Sequence, residues 1–118
     1  MKISPSRLPN IDEVQIRIMG RWGKTVTVTD SSAQTIADLW RRLPYGEQSR
    51  CHIPTYELTF LAAGQVICSA TVCWKCNNVH GHFNGQRFGF EFDGEAPVSQ
   101  LLLAVVRKVN DCGDSNFE

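Results

Sequence analysis

The pair Asn84-Gly85 stands between two runs that alternate polar with apolar side chains, residues 79–83 and 86–92. Asparagine followed by glycine is the preferred pair for a type I′ turn, whose two central residues both need positive φ. Strands joined that way must be antiparallel neighbours, so much of what this chain can become is already fixed. With Phe83 opposite Gln86, Val79 faces Phe90 and Gly81 faces Phe88 on one side of the ribbon, where a ring is expected to cover the gap at glycine. His80 and His82 then point to the other side, opposite Gly89 and Arg87.

Two further hairpins are predicted upstream. Residues 13–19 carry Val14, Ile16 and Ile18 on one side and Gln15 and Arg17 on the other, and residues 25–30 answer with Val26 and Val28 between threonines. A plain four-residue loop over 20–23 would set Ile16 opposite Thr27 and put the valines on the wrong face. The register must therefore be odd, with a bulge or longer loop that uses Gly20 or Gly23 at positive φ. Tyr56, Leu58 and Phe60 alternate up to a turn at Ala63 and Gly64, after which Val66, Cys68, Ala70 and Val72 share one side of the next strand.

Ser31 with Gln34 has capping-box spacing, and Ile36, Leu39, Trp40 and Leu43 follow at helical intervals until Pro44. Trp40 is expected in the core. Ala96 and Pro97 open a last helix whose stripe is Val98, Leu101, Leu102, Val105, Val106 and Val109. Asp93 and Glu95 read as acidic groups at that helix start. Together these elements predict one α+β domain over residues 1–118, in the order ββαββ(β)βα. Its sheet is mainly antiparallel, both helices pack on one face, and residues 1–11 and 110–118 are irregular. Strand order is not decidable from the pattern.

Composition narrows the function classes. Twelve basic and twelve acidic side chains balance, and no basic cluster extends beyond Arg41 and Arg42. Nucleic-acid binding, which draws its affinity from a basic face, is not expected, nor is a polybasic membrane anchor. Residues 1–11 hold no apolar run of signal-peptide type and no later stretch reaches spanning length, so the expected location is the cytoplasm. A reducing compartment favours free thiols or metal ligands over a disulfide framework for Cys51, Cys68, Cys73, Cys76 and Cys112.

The cysteines nevertheless form the one constellation that could carry chemistry. Antiparallel counting through the second hairpin brings position 51 opposite positions 75–77, so Cys51 is expected to meet Cys76, while Cys73 and Cys76 have the spacing at which two thiolates turn onto one ion or oxidise together. A Zn²⁺ site would combine Cys51, Cys73 and Cys76 with His80, or with His52 or His82 in its place. Two other readings stay open. Unpaired cysteines are common as small apolar core residues, which is the preferred reading and implies no cofactor. A redox pair is disfavoured because Cys73 and Cys76 close a strand and open no helix whose dipole could activate a thiol.

His80 and His82 read first as a surface pair, since no carboxylate run completes a catalytic set. No phosphate loop or nucleophile elbow is present. Trp22 and Arg21, at a hairpin tip, together with His82 and Arg87, are the candidate partner-binding residues, because interfaces favour exposed tryptophan and arginine.

Through Cys51-His52-x-Pro54, Cys73-Trp74-x-Cys76-Asn77-Asn78 and Gly89-Phe90-Glu91-Phe92-Asp93, residues 50–106 resemble a group of small uncharacterised bacterial proteins. The resemblance implies a bacterial or phage-related source and supplies no activity. Small single-domain proteins of this kind are often partners of larger proteins, including immunity proteins that neutralise toxins. The leading expectation is thus a non-enzymatic binding module, with a zinc- or thiol-dependent protein as the alternative.

Overall fold

The structure is a computed structural model that describes residues 4–20, 24–47 and 52–115, with side chains described to Asn110. Six strands form one sheet: β1 (Glu13–Ile18), β2 (Thr25–Thr29), β3 (Tyr56–Ala62), β4 (Gln65–Cys73), β5 (Asn78–Phe83) and β6 (Gln86–Glu91). Helix α1 (Asp30–Arg41) separates β2 from β3, and α2 (Pro97–Ser115) closes the chain. The sheet order is β2-β1-β3-β4-β5-β6, and every neighbouring pair is antiparallel. The fold is α+β with both helices on one face, as the pattern predicts. β2 and β3 flank β1 on opposite sides, so α1 carries the chain across β1.

Registers follow hydrophobic burial. Ile16 pairs with Val26 and Val14 with Val28, the odd register required to keep all four on the core face, and Gly20 has φ 79°. The β5–β6 register sets Val79 against Phe90, Gly81 against Phe88 and His82 against Arg87, with Asn84 and Gly85 at φ 49° and 81° as a type I′ turn requires. Gly81 faces Phe88 as expected, and the neighbouring strand adds a second constraint there. A Cβ there would run into β4, 2.6 Å from Ala70 Cα, so close strand approach excludes a side chain. In β3–β4 the register shifts between Phe60 and Leu61.

The core lies between the sheet and the helices. Trp40 is 1% exposed. Its ring sits 4.9 Å from that of Phe60 and 5.6 Å from that of Phe90, so α1 is keyed into the middle of the sheet. Leu8 and Ile11 extend the core from the N-terminal segment, where residues Pro5–Arg7 form a 3-10 turn. Arg41 holds that segment by donating to the carbonyls of Leu8 and Pro9.

Three local expectations are corrected. The N-cap of α1 is Thr29, which makes no side-chain cap bond, and Ser31 lies inside the first turn, where its carbonyl accepts from Thr35 Oγ1 at 2.9 Å. The capping box therefore does not form. On α2, Leu101 is 51% exposed while Ser99, Leu102, Leu103, Val106 and Asn110 are buried; the buried arc is rotated, and polar Ser99 belongs to it because its hydroxyl donates to the Asp93 carbonyl at 2.5 Å. Helix α2 runs on to Ser115, so residues 110–115 are helical.

Candidate functional site

With the helices on one side, the opposite face of the sheet is left to polar side chains. Alternation along the registered strands puts Arg17, Glu57, Thr71 and His80 in one row, with Gly89 beside His80 on β6. Gln15, Thr59, Ser69, His82 and Arg87 form the next row. Arg17 Nε donates to Glu57 Oε1 at 3.1 Å, and the Thr59 and Ser69 hydroxyls lie 3.1 Å apart. A groove of 320 Å³ runs over this face, lined by Glu57, Ser69, Thr71, His80, His82 and Arg87 among others. Arg87 and His82 are exposed, and Arg87 makes no ion pair among the described residues.

At one end of the face His52 folds over the sheet. Its Nδ1 lies 2.6 Å from Asn78 Oδ1 and its Nε2 lies 2.8 Å from Thr71 Oγ1, and the Thr71 hydroxyl donates to the His80 carbonyl at 3.1 Å. The rings of His52 and His80 meet edge to face, with centroids 4.3 Å apart. The His80 ring lies over Gly89: a Cβ there would sit 3.4 Å from His80 Nδ1, an ordinary contact, and 3.2 Å from the Val79 carbonyl oxygen. Desolvation, then the neighbouring His52, lower the His80 pKa below its ordinary value of 6.5, while Glu91 pulls the other way. Asn78 and Glu91 are buried beneath the pair.

The cysteines take different roles from those expected of a ligand set. Cys68 is a free thiol on the core face, and burial pushes its pKa up to about 12. Cys73 ends β4 as a buried free thiol. Cys76, in the four-residue loop between β4 and β5, is disulfide-bonded, which corrects the expectation of free thiols or ligands. A sulfur in a disulfide has no thiolate to give a metal. His52 has both ring nitrogens engaged, and no group of three or more potential ligands gathers among the described residues. Cys73 and His80 do share a face, because Cys73 pairs with Asn78 and Thr71 with His80.

Cys51, Arg21 and Trp22 lie outside the described residues. His82 and Arg87, the other two candidate contact residues, are cross-strand partners in the groove. Sequence reasoning missed His52 and Thr71 as members of this surface; the β4–β5 register, which sets Thr71 beside His80, could have found Thr71, whereas His52 lies outside the strands and carries no such signal. No helix among the described residues is long and apolar enough to cross a membrane. The chain matches no protein-family model, no curated protein and no solved structure.

Proposed function

We propose that this chain is a small non-enzymatic binding module of a bacterial cytoplasm, acting through protein–protein contact in the manner of an immunity or inhibitor protein. The observation that carries this reading is the uneven use of the sheet: both helices cover one face, and the other presents a polar groove with an exposed cation, Arg87, at its border. Interfaces draw on side chains that offer planar, directional hydrogen bonds, and arginine is the strongest of them. Histidines and hydroxyls around it supply further donors and acceptors, so an acidic or amide-rich partner surface is the complementary one. The same set lacks an activated nucleophile, which favours recognition over turnover.

Affinity for a partner captured by the wild-type chain tests the reading. Arg87→Glu combined with His82→Ala is expected to weaken it at least about tenfold, near 1.4 kcal/mol, with the unfolding midpoint unchanged. Turnover of a small substrate that disappears on replacing His80 or His82 would defeat it.

A further inference from the structure

Cys73 and Cys76 stand at the two ends of a four-residue span, one as a free thiol and the other inside a disulfide. The Cys76 N–H donates to Cys73 Sγ at 3.0 Å, so the free sulfur is held against the residue whose sulfur is oxidised. Both residues are buried, at 1% and 0% exposed, which keeps outside thiols from competing.

The loop that carries them is anchored on both flanks. Trp74 Nε1 donates to the Ser99 carbonyl at 2.9 Å at the start of α2, and Asn77, at φ 58°, accepts the Gly94 N–H at 3.2 Å through its side chain and the Phe92 N–H at 3.0 Å through its carbonyl. Residues three apart across a chain reversal have Cα atoms within about 7 Å, close to the largest separation a disulfide spans.

We propose that Cys73 and Cys76 are a thiol–disulfide exchange pair, making the β4–β5 loop a site where a cross-link is handed over. In the exchange the Cys73 thiol gives up its proton and the thiolate attacks Cys76 Sγ. A Cys73–Cys76 bond forms, the bond from Cys76 to its present partner breaks, and the departing sulfur takes the electron pair and then a proton. One disulfide and one thiol enter and the same leave, so no oxidant or reductant is consumed. The departing sulfur is that of a cysteine other than Cys68 and Cys73, both of which are free thiols, and the exchange replaces its tie to Cys76 by one inside a loop. The proposal stands independently of the binding surface.

Disulfide mapping of the full chain tests it. Wild-type protein is incubated at mildly alkaline pH, quenched in acid, alkylated and digested without reduction, beside Cys73→Ser. In parallel, Cys51→Ser and Cys112→Ser are oxidised with diamide, which shows whether Cys73 and Cys76 can join once the present partner is removed. The expected result is a Cys73–Cys76 cross-linked peptide in one of these two variants, and both linkages in wild type but only one in Cys73→Ser. The proposal is overturned by absence of that peptide from both variants, or by its appearance in a variant and never in wild type.

Discussion

At Gly94 the absence of a side chain is a packing requirement: an added Cβ would lie 2.8 Å from the Trp74 carbonyl oxygen and would also strike Asn77 Oδ1. Gly94→Ala is therefore expected to destabilise the fold by about 1–3 kcal/mol, read as a lower denaturant midpoint, and an unchanged midpoint would show that the 74–77 loop is not pinned there. His80 makes a prediction about pH. Its folded pKa is lowered from 6.5, so the unfolded chain binds the proton more readily; the contribution is fully present above about pH 6.5 and is lost as pH falls through the folded value. His80→Gln should flatten the fall in midpoint measured between about pH 7.5 and 5.5, and a variant with the wild-type slope would assign that slope elsewhere. Cys68, with its thiol near 12, should resist alkylation in the native protein and react only on unfolding.

At the scale of elements, burial made most of the strands legible. Alternation in β1 and β2 demands an odd register, which the pairing of Ile16 with Val26 meets, and Asn84-Gly85 specifies both the turn and the pairing of His82 with Arg87. The helices were read less well for identifiable reasons. Spacing alone suggests a capping box at Ser31, yet α1 starts one residue earlier, at Asp30, whose φ of 56° is left-handed and not helical. Left-handed φ costs an aspartate more than a glycine, so Asp30→Gly should leave stability unchanged or raise it, whereas Asp30→Val should lower it by about 1–2 kcal/mol; thermal melts compare them. Leu101 was assigned to the buried stripe because hydropathy ignores polar partners, and Ser99 takes the inward position by hydrogen bonding to the Asp93 carbonyl. The site was harder still. His52 reaches Thr71 and Asn78 across strands, and a contact of that kind is set by register and by the fold of the preceding segment, which no local periodicity encodes.

The whole molecule divides into a covered apolar face and an open polar one. Strand order carries this division: β3 must return beside β1 and not beside β2, a choice that loop patterns leave undetermined and that decides which polar rows become contiguous. Arg17, Glu57, Thr71 and His80 come into line only because β1, β3, β4 and β5 are successive neighbours. A thiol buried at the end of one strand and a disulfide in the following loop place the redox-sensitive part of the chain at the His52 end of that same face. In the cytoplasmic location proposed above, a disulfide would be transient and exchangeable, which suits the proposed exchange pair. The oxidised protein is accordingly expected to hold no stoichiometric zinc on elemental analysis, and one tightly held equivalent would favour a metal role for these sulfurs.

Photo-crosslinking from defined positions probes the open face directly. A photoreactive residue placed at Arg87 should give a covalent adduct with a discrete partner in cells that make the protein, while the same group at Lys108 on the exposed side of α2 should not. Adducts from Lys108 alone, from both positions equally, or from neither would contradict a binding surface on the polar side of the sheet.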